Sequence, residues 1–157
     1  MTEAVERVRA VLQDQGWADR VRILNDSTHT AQEAADALHV ASAQIAKSIV
    51  FRASSTGRAV VVITRGDRRV HEKSLERWLG EGVERAQPDW VRASTGYPIG
   101  GVSPLGHNDR TIVILDAALW EYSHVFAAAG HPRAVFGATP DELQILTGAP
   151  MIDGISR

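Results

Sequence analysis

Ala59-Val-Val-Val-Ile-Thr64 is the most strand-like run in the chain. Its β-branched residues suit a pleated surface, and because both faces are apolar it reads as a central strand covered from both sides. Ser54-Ser-Thr-Gly57 ahead of it is a hairpin turn signal, and Ile49-Val50-Phe51 precedes that turn. The two runs therefore pair antiparallel. Lys47 stands at the entrance of the first run, at the rim of a buried sheet. A lysine there can lay its stem over apolar surface and keep its ammonium in water. The functional reading is a fixed point charge beside a pocket.

Upstream, Thr30-Ala-Gln-Glu33 has the capping-box spacing and opens a short helix carrying Ala34, Ala35, Ala37 and Leu38, small enough to pack closely on a sheet. Val21 to Leu24 alternates as a short strand, and Asn25 to His29 is a turn. Before it, Val5, Val8, Val11 and Leu12 recur at helical spacing over residues 3–15, with Gly16 where a helix stops. Downstream, Arg65-Gly-Asp67 turns the chain, and a helix over 72–79 places Leu75, Trp78 and Leu79 on one face ahead of Gly80. Pro88 begins a further helix that Gly96 ends, and Thr111 to Leu115 is a buried strand closed by Asp116. Val125 to Ala129 and Ala134 to Phe136 are strands joined by Gly130-His-Pro132, and Thr139-Pro-Asp-Glu142 caps a last helix through Leu146. Strands and helices are mixed with no repeat, low-complexity segment or linker. The expectation is one α+β domain over residues 1–157.

Between the Pro88 helix and the Thr111 strand lies Thr95-Gly-Tyr-Pro-Ile-Gly-Gly-Val-Ser-Pro-Leu-Gly106, with four glycines and two prolines in twelve positions. Such a segment is neither helix interior nor central strand, so it is a loop of defined shape. Gly100 and Gly101 can take positive φ and let backbone approach a ligand, while Pro98 and Pro104 stiffen the flanks. The loop is either a long structural turn or a presenter of main-chain N–H groups to an oxygen.

The 44% hydrophobic content of 157 residues suffices for a core without metal or disulfides. Cysteine is absent, which removes thiolate nucleophiles and cysteine-ligated zinc. The acidic N-terminus and the lack of a long apolar run point to a cytoplasmic protein with no membrane partner. Seventeen Lys and Arg against nineteen Asp and Glu argue against a coat over long nucleic-acid backbone, DNA included, but leave room for one RNA end. Arg65, Arg68, Arg69, Lys73 and Arg77 could serve that end or form a solvated face. Gly101 to Gly106 has phosphate-loop glycine spacing, yet His107-Asn108 replaces the required Lys-Ser/Thr. Leu105 removes a nucleophile elbow at Ser103, and Leu75 removes a zinc-protease helix at His71. No cofactor or metal is called for.

Ile45-Ala-Lys-Ser-Ile-Val-Phe51, the 95–106 loop and Ala129-Gly-His-Pro132, in that order, resemble the YbaK family of aminoacyl-tRNA editing domains. That family includes the insertion domain of bacterial prolyl-tRNA synthetases and its free-standing relatives, and the likeness runs from Thr30 to the final helix. It implies a mixed, barrel-like sheet ringed by helices. It also implies hydrolysis of the ester joining a wrong small amino acid, such as alanine, cysteine, serine or threonine, to the 3′ end of a tRNA. By the resemblance Lys47 matches the family's essential lysine, Gly100, Gly101, Val102, Ser103 and Pro104 its substrate loop, and His131 a position near the aminoacyl group. Pocket walls are expected near Asn25 to His29, Ile49 and the His131 turn. The implied partners are mischarged tRNA and, as a further candidate, an aminoacyl-tRNA synthetase. With no synthetase body in these residues, the expectation is an editor acting in trans.

The residues suit that chemistry on physical grounds. Ester hydrolysis builds negative charge on a carbonyl oxygen, which N–H groups such as those of Gly101 and Val102 could stabilise. Lys47 would serve as a compact charge, and without cysteine or a triad the nucleophile is water or a substrate hydroxyl. One methylene supplies only about 1–3 kcal/mol of discrimination, so a second small site is needed for accuracy. Two other readings stand beside this one: a non-catalytic module binding an aminoacyl-tRNA end or a synthetase, and a hydrolase of unrelated small esters.

Overall fold

A computed structural model of the chain describes residues 3–157. The valine run forms β3 (Ala59–Arg65), paired antiparallel with β2 (Ala46–Ala53) from Ala46↔Arg65 to Arg52↔Ala59. Side chains alternate across a strand, and both faces of β3 are buried. Val61 and Ile63 enter the principal core, whereas Val60 and Val62 enter a second one with Phe51, Leu75 and Ile155.

Five strands form the larger sheet in the order β4-β2-β3-β5-β8, with β4 Val83–Arg85, β5 Ile112–Asp116 and β8 Met151–Ile152. The β3–β5 and β5–β8 pairs are parallel and the others antiparallel, so the sheet is mixed. A three-stranded antiparallel sheet, β1-β7-β6, uses Val21–Ile23, Ala134–Ala138 and Val125–His131. The expected α+β fold with mixed sheet and surrounding helices is present, its strands divided into two sheets linked at a parallel bridge between Ile45 and Phe126. The turn after β6 is also tighter than expected, because Gly130 and His131 belong to the strand and a register shift falls between Ala128 and His131.

Helix α1 (Glu3–Gln13) buries Val5, Val8 and Leu12 in the principal core. Its first turn lies directly on β6: a Cβ at Gly130 would sit 2.7 Å from the Ala4 carbonyl group. Both expected capping boxes are present, at Thr30 for α2 (Ala31–Leu38) and at Thr139 for α5 (Pro140–Thr147). Helix α3 (Glu72–Leu79) fully buries Leu75, but Trp78 remains 43% exposed. At about 100° per residue, Trp78 is turned away from the stripe that joins Leu75 to Leu79. Helix α4 (Pro88–Thr95) ends on Gly96 in the left-handed region and delivers the chain into the glycine–proline loop. Asp116, only 2% exposed, closes β5 by accepting the Thr64 hydroxyl at 2.6 Å and the Ala118 N–H at 3.0 Å. Among the described residues no helix is long and apolar enough to cross a membrane.

Candidate functional site

The site begins with an incomplete strand edge. The Gly66 N–H donates to the Ile45 carbonyl at 2.8 Å, which fixes the odd-numbered residues of β2 as those bonded to β3. The main-chain groups of Ser48 therefore point toward the opposite edge. Strand β4 covers that edge from Phe51 to Ala53, and β6 meets it at Ile45. The gap between them opens into a cavity of about 590 Å³, within the size range of small-ligand sites.

Its floor is apolar, with Ala46, Val50, Val91, Val102 and Ala127. Lys47 and Arg85 are the cations in its wall, and no carboxylate lines it among the described residues. The Lys47 ammonium donates to the Gly66 carbonyl at 3.2 Å. Burial holds its pKa below the ordinary lysine value, with Asp67 opposing and Arg85 and Arg69 adding to the depression. Lys47 thus sits among other positive groups in a site open to an anion or a polarised carbonyl.

The loop contributes Ile99, Gly100 and Val102 to the lining. Its Gly101 N–H donates to the Pro98 carbonyl at 2.9 Å, and Gly100 has φ +79°, as the third position of a type II turn requires. This corrects the expectation for Gly101, whose N–H is consumed by the turn. The Val102 N–H has no acceptor among the described residues, and Val102 lines the cavity. Gly101 serves a different purpose: a Cβ there would fall 2.7 Å from the His131 nitrogen and 2.8 Å from its Cα. Only glycine lets the loop lie against the end of β6.

Of the residues singled out from sequence, Lys47, Gly100 and Val102 meet at the cavity, together with Thr28, His29 and Ile49 of the expected walls. Gly101, Ser103, Pro104 and His131 do not line it. His131 backs Gly101 and accepts the Arg133 N–H on its Nδ1 at 3.0 Å. Ser103 is fully buried and accepts the Leu105 N–H, while Pro104 borders a second cavity on the reverse of the loop. Arg65 and Arg68 of the basic cluster are paired with Asp67 and Glu121. Arg85 escaped the sequence reading because β4 is only three residues long, although Val83-Glu84-Arg85 has the alternation of a strand.

His107 stiffens the loop from behind. Its Nε2 lies 2.6 Å from the Ser103 carbonyl, so this nitrogen carries the hydrogen, and its buried Nδ1 has no partner. Burial pushes its pKa below the usual histidine value; the Ser103 carbonyl opposes this and Arg7 reinforces it. Because the folded-state pKa is the lower one, this contribution to stability is complete above about 6.5 and is lost as pH falls toward the folded value. Denaturant melts at a series of pH values should show the wild type losing more stability below about pH 6.5 than His107→Gln. Equal pH slopes for the two proteins would remove His107 from the acid response.

Lys47 and Val102, whose N–H has no acceptor among the described residues, line one largely apolar cavity that holds no carboxylate among the described residues, an arrangement suited to a polarised acyl or phosphoryl oxygen. A family model described as the aminoacyl-tRNA editing domain matches residues 25–146. The uncharacterised protein YwhH of Bacillus subtilis is 32% identical over 117 residues, 74% of each chain. A proline–tRNA ligase of Nitratidesulfovibrio vulgaris is 35% identical over 92 residues, which cover 58% of this chain but only 16% of the ligase. A solved structure provisionally assigned as a trans-editing enzyme for prolyl tRNA synthetase superposes with TM-score 0.87 at 40% identity, covering 98% of this chain and 97% of that one. The hypothetical protein APE2540 superposes with TM-score 0.88 at 28% identity, covering 96% and 99%. The chain belongs to the aminoacyl-tRNA editing domain family.

Proposed function

We propose that residues 1–157 form a single editing domain that acts in trans as a deacylase, hydrolysing the ester between a mischarged small amino acid and the 3′ end of a tRNA. The observation that carries this reading is the cavity lined by both Lys47 and Val102, whose N–H has no acceptor among the described residues. Similarity along nearly the whole length of the provisional trans-editing enzyme supports action apart from a synthetase, and similarity to proline–tRNA ligases supports tRNA-Pro among the substrates.

The chemistry follows from the wall. Lys47 and Arg85 attract the terminal nucleotide's phosphate, bringing the ester carbonyl beneath the loop. Water, or a hydroxyl of the substrate, attacks the carbonyl carbon, and the Val102 N–H stabilises the charge that develops on oxygen. Collapse of the tetrahedral species breaks the acyl–oxygen bond, and the ribose oxygen departs with a proton. The apolar floor receives the side chain of alanine, cysteine, serine or threonine. The site calls for no cofactor, and a synthetase is a candidate partner for delivery of the tRNA.

The test is deacylation of tRNAs charged with alanine, cysteine, serine, threonine or proline. The expected result is loss of one or two of these esters at least about a hundredfold faster than in buffer, the scale of one preorganised donor. Binding of charged tRNA without turnover would replace this reading with that of a non-catalytic module. Turnover of simple esters indifferent to tRNA would replace it with a general esterase.

A further inference from the structure

We propose that Arg7, on a helix preceding the residues matched by the family model, is a positioning residue that fixes the 95–106 loop and with it the Val102 donor. Its Nη2 donates to the Thr95 carbonyl at 2.7 Å, and its Nε donates to the Tyr97 hydroxyl at 3.2 Å. The guanidinium also lies 4.1 Å from the centre of the Tyr97 ring. Tyr97, fully buried, passes the connection on by donating its hydroxyl to the Leu105 carbonyl at 2.7 Å. Arg7 therefore holds the start of the loop directly and its end through Tyr97.

The surrounding residues make room for this brace. A Cβ at Gly96 would lie 2.9 Å from Arg7 Nη1, and one at Gly106 would lie 2.9 Å from the Tyr97 hydroxyl. These glycines thus admit the brace as well as supplying the positive φ of the loop ends. The His107 ring packs edge-on against Tyr97 at 5.6 Å while holding Ser103. Val102 lies between the tied ends and its N–H has no acceptor among the described residues, so its placement is inherited from them. Helix α1 can act as a buttress because Val5, Val8 and Leu12 are buried and its first turn rests on Gly130 of β6. A charged donor bound to a carbonyl is stronger than a neutral one, and a preorganised donor is what charge stabilisation needs.

The inference rests on the deacylase reading for its kinetic readout and is independent of it for its structural one. Arg7→Ala, Arg7→Lys and Tyr97→Phe are compared with wild type, using exposed Arg9→Ala as the control on the same helix. Amide hydrogen exchange is expected to quicken at Gly101 and Leu105, whose N–H groups are bonded within the loop, in Arg7→Ala and Tyr97→Phe, while β2 and β3 keep their protection. Below the unfolding transition, kcat is expected to fall about tenfold or more with KM within about twofold, the signature of a displaced catalytic donor. Arg7→Lys should recover part of the loss through Thr95, and the Arg7→Ala/Tyr97→Phe double variant should be little worse than either single. Unchanged exchange in the loop of folded variants overturns the brace, as does a kcat loss that merely tracks the folded fraction. If Arg7→Ala fails to fold, Tyr97→Phe decides by the same two readouts. Wild-type protein without deacylation would sink the proposed function and leave the exchange result to judge the brace.

Discussion

Lys47→Met is expected to reduce deacylation by on the order of a hundredfold or more while leaving the fold at least as stable as the wild type. The first half follows from position, since Lys47 supplies a compact positive charge to the wall of the cavity and no carboxylate lining it among the described residues neutralises that charge. The second half follows from its titration. Burial lowers the folded-state pKa beneath that of the unfolded chain, and the ammonium has one carbonyl, Gly66, as its protein partner. The contribution to stability is therefore present above about 10.5 and lost as pH falls through the folded value, so at neutral pH the charged lysine weakens the fold. Methionine keeps the stem and removes that cost. Thermal melts should show a midpoint for Lys47→Met equal to or above that of wild type at pH 7, and a smaller gain in stability on raising pH toward 10. A large drop in midpoint would make Lys47 a structural residue. Lys47→Arg should not restore activity, because a planar fork does not reproduce a compact ammonium.

Gly101→Ala is expected to cut deacylation by about a hundredfold and to destabilise the protein by about 1–3 kcal/mol. The added Cβ would meet the nitrogen and Cα of His131 and, at 3.0 Å, the Gly130 carbonyl carbon. All three are backbone atoms of a paired strand, so no side-chain rotation relieves the contact. The loop must move instead, and Val102 is the next residue along it. Gly148→Ala is the appropriate control. That glycine ends α5 with φ +64° and has nothing within 4 Å of an added Cβ. It should cost about 1 kcal/mol for the conformation alone and leave kcat unchanged. Full activity in Gly101→Ala would mean that close approach to His131 does not set the loop.

The same two positions show how far the site could be read in advance. Lys47 was recognisable because it precedes a β-branched run, and the Ile45 to Phe51 motif has a counterpart in a known family. The position of Gly101 was equally visible, but its role was not. Whether an N–H is free depends on which carbonyl the folded loop brings to it, and here Pro98 takes it. The resemblance sets His131 near the aminoacyl group, and in the fold its backbone lies against Gly101.

From sequence alone come the elements with a period or a punctuation mark: the buried hairpin of β2 and β3, the capping boxes at Thr30 and Thr139, and the glycine stops at 80 and 96. These are local, since each is decided by residues within about one turn or one strand of one another. The three-residue β4 and two-residue β8 were missed because runs so short carry no period. The division into two sheets, the uncovered edge beside Ser48 and the arrival of Arg85 in the cavity wall were decided only by tertiary structure. So was the reach of Arg7 across to Thr95 and Tyr97. Nothing in the spacing of residues 88 positions apart records a contact, because packing of α1 on β6, with Val5, Val8 and Leu12 buried, brings them together.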